Sequence, residues 1–260
     1  MENTKGRKRT FAIIAVVVCL ALAAVGGTIA WLTAANKVTN TFTVGEITQP
    51  DDGNDDGVPD NPPDEPEGED EHAKLDGNIY EITDELIIIP GSDSLKKPWI
   101  GIGPGSEDAY VFAYVDNNMM SKTAEPGESS YFVLNEGWVP VGDQSKYAVA
   151  GVANAYTGGL FAWCGDNGVN PTPLVADETQ NVWTSSPVFD NVIHANDPND
   201  PTATTASDYN ENASMDVWCF IYADVNDTTF SDAIDAANAW ANAENGPAVI
   251  AGEAAANQGN

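Results

Sequence analysis

The sequence predicts an all-β fold, an antiparallel jelly-roll or β-sandwich, with one C-terminal amphipathic helix and an N-terminal signal helix. Short segments rich in Val, Ile, Tyr, Phe and Trp recur about every 8–15 residues, separated by Gly, Asn and Asp. That pattern is typical of a sandwich or a jelly roll. One later segment places its apolar residues at helical spacing. The first thirty residues join a basic head to an apolar stretch, as export signals do.

The segment 1–30 is predicted to be a secretory signal peptide. Four basic residues between positions 5 and 9 precede the apolar run Phe11–Ala30, which has small residues at its −3 and −1 positions. This pattern predicts cleavage by a signal peptidase between Ala30 and Trp31. The alternative is an uncleaved membrane anchor, because twenty apolar residues can span a bilayer. Both interpretations place the rest of the chain outside the cytoplasmic membrane.

The segment 31–48 is predicted to contain an N-terminal strand. Phe42, Val44 and Ile47 are interspersed with polar residues, which favours a half-buried strand. An acidic linker rich in Pro, Gly and Asp follows at 49–73, and it has too few apolar residues to offset the entropy of ordering. A terminal strand on such a linker can fold back on its own sheet or complete the sheet of another subunit.

The acidic linker contains a candidate calcium loop. The predicted oxygen ligands are Asp52, Asn54, Asp56, the Val58 carbonyl and Asp60. Alternate residues on a tight turn can point at one centre, Gly57 permits the bend, and Ca²⁺ prefers six to eight hard oxygen ligands. The stretch 56–61 resembles the calcium loops of thrombospondin type 3 repeats. The alternative is a solvated run of charge, since the bidentate Glu of an EF-hand is absent at its usual offset.

Residues 74–247 are predicted to form the sandwich domain, and 248–260 a flexible tail. Strands are predicted at Ile79–Thr83, Leu86–Ile89, Ala109–Val115, Tyr131–Leu134, Trp138–Val141, Tyr147–Val152, Leu160–Cys164, Val182–Thr184, Val188–Ile193 and Val217–Tyr222. The helix is predicted over Phe230–Asn245, with Thr229 as its N-cap and Gly246 after its end.

A series of short motifs carries a family resemblance. In chain order they are Gly26–Thr33, Thr39–Gly45, Pro90–Gly91, Lys97–Pro98, Gly105–Phe112, Gly137–Trp138, Pro187–Asp190 and Ala239–Trp240. The series, with the signal, resembles the TasA/camelysin family of Gram-positive exported proteins, whose signals are cut by a SipW-type peptidase. The resemblance implies a jelly-roll subunit of the cell surface or biofilm matrix. It also implies fibre assembly by strand donation, with Thr39–Thr48 as the donor.

Composition limits the partners. Without residues 1–30 the chain has 6 Lys, no Arg and 39 Asp and Glu, a net charge of −33. Nucleic acids and anionic lipids need a basic surface, so neither is expected, and a membrane is a partner only through an uncleaved signal. The charge favours divalent cations and basic surfaces. The resemblance adds self-association or related matrix subunits.

Two cysteines remain once Cys19 leaves with the signal. Cys164 and Cys219 both lie in apolar runs, and an even pair in an oxidising compartment predicts a disulfide. The alternative is two free buried thiols that behave as small apolar side chains.

No catalytic motif is evident, and we expect a structural protein rather than an enzyme. The sequence lacks His-Glu-x-x-His and Gly-x-Ser-x-Gly, and its two histidines, His72 and His194, fall in segments expected to be solvated. Trp31, Trp99 and Trp138 are expected to be freer than the tryptophans of the strands and the helix. The alternative functions are a secreted camelysin-like metallopeptidase and a monomeric calcium-dependent adhesin.

Overall fold

Two β-sheets packed face to face form the body of the protein in a computed structural model of the chain. The structure describes residues 40–43, 47–53, 58–65, 71–84, 91–118, 130–165, 172–194, 214–223, 229–243 and 246–247. Strands predominate in these residues, and a helix follows the last strand. The predicted all-β sandwich with a C-terminal helix is therefore confirmed.

The first sheet has five strands. They are β1 (Asn40–Thr43), β5 (Ala109–Asn117), β7 (Trp138–Pro140), β9 (Gly159–Trp163) and β12 (Met215–Ala223), in the spatial order β1-β12-β5-β9-β7. The longest ladder joins β12 and β5 in antiparallel register, with Cys219 opposite Ala113. β1 pairs with the other side of β12 and is parallel to it.

The second sheet has seven strands. They are β2 (Glu71–Asp76), β3 (Ile79–Asp84), β4 (Asp93–Ile102), β6 (Tyr131–Val133), β8 (Ala155–Tyr156), β10 (Val182–Trp183) and β11 (Asn191–Ile193). The order is β2-β3-β4-β11-β6-β8, and β10 pairs with the far end of β4. The pairings in this sheet are all antiparallel.

The core lies between the sheets and is made by alternate residues of their strands. Val111, Ala113 and Val115 of the first sheet face Ile79, Ile100 and Phe132 of the second, as expected for side chains that alternate between the two faces of a sheet. The ring of Phe132 lies 4.5 Å from that of Phe189 and 5.6 Å from that of Phe161. Burial of one such side chain stabilises the fold by about 1.5–3 kcal/mol.

Helix α1 (Phe230–Ala241) covers the outer face of β5 and β12. Thr229 and Asp232 form a capping box, in which each side chain accepts a hydrogen bond from the other residue's backbone N–H, and this satisfies donors at the helix start. The Trp240 ring stacks on Phe220 at 5.2 Å. Because both of its faces are covered, β5 has seven consecutive buried residues and does not alternate.

The strand predictions were correct for most of the body and wrong in specific places. Tyr147–Val152 is not a strand, because a 3₁₀ helix at Ser145–Tyr147 leads into turns. The strands β2, β4 and β8 were missed. Leu86–Ile89, the signal 1–30 and the tail 248–260 lie outside the described residues. In the part of the chain that is described, no helix is long and apolar enough to cross a membrane.

Candidate functional site

The N-terminal strand, β1, lies along the side of β12 that faces away from β5. β12 pairs with β5 along all nine of its residues on one side. On its other side β1 pairs in parallel, from Asn40 opposite Cys219 to Thr43 opposite Tyr222. Within the described chain, β1 thus covers four positions of β12. Its backbone groups bond to donors and acceptors that an open edge would leave unpaired.

The other strands at the described sheet edges are poor templates for an added chain. β7 has three residues and ends in Pro140, and β8 has two. β2 carries an exposed ion pair in which Lys74 and Asp76 are 2.9 Å apart. Shortness, proline and charge all discourage pairing between sheet edges. The edge of β12 is therefore the described position best suited to accept a strand.

After β1 the chain crosses to the second sheet, where Thr48 is fixed. The Thr48 N–H donates to Ser106 Oγ at 3.0 Å, and its hydroxyl donates to the Pro104 carbonyl at 2.8 Å. The Thr48 carbonyl accepts the Gly103 N–H at 2.9 Å. Ile47 packs against the core between the sheets. Every polar group of Thr48 is therefore bonded to the body.

Gly103 permits a close backbone approach at this crossing. A Cβ atom at Gly103 would overlap the Gln49 carbonyl and lie 2.8 Å from Thr48 Oγ1. The φ angle of Gly103 is not in the left-handed region, so the glycine is required for space and not for an unusual backbone conformation. Any larger residue at position 103 would displace the crossing segment.

The acidic segment predicted as a linker contacts the body. We call residues 47–65 the strap, of which 47–53 and 58–65 are described. Pro50 and Pro59 are buried, and strand β2 already begins at Glu71. The composition of the segment indicated disorder, but contacts with the body compensate for the apolar residues that the segment lacks.

The described end of the strap covers an aromatic cluster on the outer face of the second sheet. Val58 packs against the cluster that contains Tyr80 and Trp99. The Tyr80 hydroxyl donates to the Asp64 carbonyl at 3.2 Å, and Lys97 Nζ lies 3.0 Å from Asp64 Oδ2. That ion pair is partly exposed and contributes roughly 0–1 kcal/mol, so packing and hydrogen bonds hold the strap.

Asn181 closes the base of the candidate calcium loop. Its Oδ1 accepts the Asp51 N–H at 3.0 Å, and its Nδ2 donates to the Asp51 carbonyl at 2.9 Å. Asn61 Nδ2 donates to the Asn181 carbonyl at 2.7 Å. Gly53 has a φ of +58° and lies directly beside the Asp60 carboxylate. The start and the end of the loop are thus fixed to one residue of the body.

The structure describes only part of the predicted ligand set. Asp52, Val58 and Asp60 are described, whereas Asn54 and Asp56 lie outside the described residues, as does Gly57. Among the residues described, no group of three or more His, Cys, Asp or Glu is placed to hold a metal ion. Calcium binding therefore stays a prediction.

An acidic cleft that sequence reasoning missed lies beside the crossing. Its volume is about 250 Å³, and it is lined by Ser106, Glu107, Asp108, Ala176, Asp177 and Glu178. Asp177 Oδ1 accepts the N–H groups of Thr179 and Gln180, and bonding to the Thr179 backbone and side chain lowers the Asp177 pKa. The sequence signal was two acidic pairs in segments far apart in the chain, which only the fold brings together.

The predicted Cys164–Cys219 disulfide does not form in this structure. Both cysteines are buried, and neither is in a disulfide. Cys219 pairs with Ala113, Ala113 pairs with Phe161, and Cys164 lies three residues beyond Phe161. Strand spacing and rise then separate the two cysteines by about 14 Å, whereas a disulfide needs Cα atoms within about 7 Å. Burial raises the pKa of both thiols, that of Cys164 to about 11.

The two histidines have opposite environments. His72 is exposed on β2. His194 was expected to be solvated, but it is 1% exposed, and its ring nitrogens lie 3.0 Å from the hydroxyls of Ser94 and Ser130. Desolvation lowers its pKa to about 4, although Asp93 acts in the opposite direction.

A buried ion pair lies on the inward face of the second sheet. Lys96 and Glu81 are in contact, and their side chains are 1% and 7% exposed. Alternation places Glu81 on the same face as Ile79, and Lys96 on the same face as Ile100. Removal of one partner would leave an uncompensated buried charge, which costs about 3–5 kcal/mol. Trp99 and Trp138, expected to be freer, are each 4% exposed.

Comparison with known proteins gives no relative for this chain: no family model, no curated protein and no solved structure matches it. The site is therefore defined by its own geometry.

The thiols give the first prediction. Iodoacetamide at neutral pH should modify neither cysteine of the folded mature chain, because burial protects both thiols and disfavours the reactive thiolate. In denaturant without reductant it should add two groups, measured by intact mass. A mature chain that stays unmodified in denaturant and is 2 Da lighter would contain the disulfide after all.

The buried histidine, His194, gives the second prediction. Below about pH 6.5 the unfolded state binds a proton at position 194, whereas the folded state does so only near the lowered pKa of about 4. Stability should therefore fall as pH drops from 6.5 to 4, by about 3 kcal/mol from this residue.

Urea titrations across this pH range test the histidine prediction. His194→Gln should flatten the pH dependence of the free energy of unfolding, and His72→Gln, at the exposed histidine, should not. An unchanged pH dependence in His194→Gln would contradict the assignment.

Proposed function

We propose that this protein is an exported structural subunit of the cell surface or biofilm matrix, TasA-like in organisation, that joins further copies or related subunits by strand addition. The observation that supports the proposal is the position of β1, a terminal strand on the edge of β12. The proposal includes a jelly-roll arrangement of the two sheets. It also includes export through the signal 1–30, with cleavage between Ala30 and Trp31.

A terminal edge strand can be exchanged between copies without unfolding the body. β12 keeps β5 at one side and α1 on its outer face, whichever chain supplies β1. The same backbone hydrogen bonds form within one chain or between two, so the free-energy difference between the states is small. Protein concentration then decides whether β1 pairs within one chain or between two chains. In dilute solution the strand of the same chain has the higher effective concentration.

Net charge sets a second condition for assembly. At a net charge of −33 without the signal, copies repel one another until salt screens them or cations bind. The screening length is about 10 Å at 0.1 M salt, so dilute buffer leaves the repulsion intact. Calcium or acid reduces the negative charge, and both therefore favour association.

Removal of the donor strand tests the proposal. The mature chain should be monomeric in dilute, low-salt, neutral buffer and should polymerise with millimolar calcium or at pH 5. A chain that starts at Ile47 lacks β1 but keeps the strap, and it should stay monomeric in all of these conditions. Sedimentation and negative-stain microscopy measure the outcome.

The shortened chain also provides a control. It offers the β12 edge without a donor, so an excess of it should cap polymers of the mature chain and shorten them. Circular dichroism confirms that it is folded. Equal polymerisation of the shortened and mature chains would rule out strand addition through β1.

We also propose that the strap binds calcium through Asp52, Asn54, Asp56, the Val58 carbonyl and Asp60. Asn181 supports this proposal because it fixes both ends of the loop to the body. Binding at a loop whose ends are held costs less ordering entropy than binding at a free one. An ion there would also be coupled to the stability of the whole domain.

Thermal unfolding in the presence of calcium and of a chelator tests whether the strap binds calcium. Calcium at a hundred times its dissociation constant should stabilise the fold by about 2.7 kcal/mol. Asp60→Asn should remove most of that gain, while Glu136→Gln, an exposed acid on a distant turn, should not. No difference in melting temperature between calcium and chelator would contradict calcium binding.

A further inference from the structure

We infer that strand exchange moves only the chain upstream of Ile47, and that the strap stays on its own body when β1 crosses to a neighbouring copy. This inference rests on the proposed function and specifies which part of the N-terminal segment is exchanged. A free linker would let the whole segment up to β2 travel with the strand. The described contacts of the strap argue against that.

The crossing at Thr48 is the first reason. Its N–H, carbonyl and hydroxyl are each bonded to the segment 103–106, and Gly103 lies against the Gln49 carbonyl. Ile47 packs against the core between the sheets. Release of this point would expose an apolar side chain and leave three backbone or hydroxyl groups to find new partners.

The rest of the strap gives the second reason. Asn181 is 5% exposed, and its side-chain amide bonds to both backbone groups of Asp51. Without the strap, that amide would lose these bonds, and the cluster of Tyr80 and Trp99 would lose the cover of Val58. A neighbouring copy of the strap could restore these contacts only by reproducing all of them at once.

The backbone pairing of β1 can be reproduced by a second copy. Its ladder to Cys219–Tyr222 is at the sheet edge, and an identical edge on a second copy offers the same pairing. In the proposed exchange, the part that moves therefore ends at Thr43, and the part that stays on its own body begins at Ile47. Four Cα steps span at most about 14 Å, so the acceptor edge must lie close to the donor's own strap.

This short reach has a consequence for regulation. The acidic strap and the acidic cleft beside Thr48 must lie at the junction between copies, since the donor strand leaves from there. Repulsion between copies is then concentrated at that junction, where it is screened least. Cations that collect at the junction favour exchange without unfolding the strap.

Polymers mixed from equal amounts of ¹⁴N and ¹⁵N chains test the inference. A carbodiimide joins Lys97 to Asp64, whose charged groups are 3.0 Å apart, and peptide mass spectrometry shows whether the joined peptides carry like or unlike isotopes. Like isotopes only are expected, because the strap stays on its own body. Lys97→Gln confirms the assignment of the cross-link.

A second cross-link follows β1 in the same polymers. Asn40→Cys places a thiol opposite the native Cys219 in the parallel register, at a strand spacing within disulfide range. Oxidation after assembly should join position 40 to Cys219 in like and unlike isotope pairs in about equal numbers and give a ladder of multimers on a non-reducing gel. Cys219→Ser in the same chain should abolish the ladder.

The two cross-links distinguish failure of this inference from failure of strand addition itself. Unlike isotopes at Lys97 and Asp64 in an assembled polymer would overturn the inference and leave strand addition intact. Like isotopes only between position 40 and Cys219 in the polymer would overturn strand addition, and the inference with it.

Discussion

The backbone of β12 needs hydrogen-bond partners on two sides, and the rest of the molecule is arranged around that need. β5 supplies one side along the whole strand, and β1 supplies part of the other. Helix α1 covers one face and the second sheet covers the other. With its faces buried, β12 can accept another strand only at the side where β1 lies, and within the described residues that side is the edge best suited to strand addition.

The acidic strap follows β1 in the chain, so negative charge lies next to that edge. An acidic segment of this kind is usually solvated, but here buried prolines, Asn181 and an aromatic cluster hold its described parts against the second sheet. The terminal strand is thereby delivered to the edge from a fixed point at Thr48. This fixed point lies beside an acidic cleft, so the repulsion and the strand exchange proposed for this chain would act at the same place.

Two sets of buried polar groups in the described interior have their partners within the sandwich. Lys96 is paired with Glu81, and His194 lies between two serine hydroxyls. Buried groups of this kind cost free energy when a partner is lost. His194 also makes the stability of the body sensitive to acid, in a range that partly overlaps the acid-promoted association proposed for the whole chain.

The sequence by itself determined the β-rich class, most central strands and the C-terminal helix, because alternation, turn residues and capping are local signals. It also predicted a strand within Thr39–Thr48, of which the structure shows Asn40–Thr43. The sequence did not determine which strands pair with each other. β4 was missed because Lys96, Lys97 and Pro98 are poor strand formers that long-range pairing with β3 accommodates. The predicted disulfide is absent from the structure. His194 is buried although it was expected to be solvated, and the described parts of the strap pack against the body although a free linker was expected. Each of these depends on which distant residues become neighbours, and that is decided by sheet register and by packing in the folded chain.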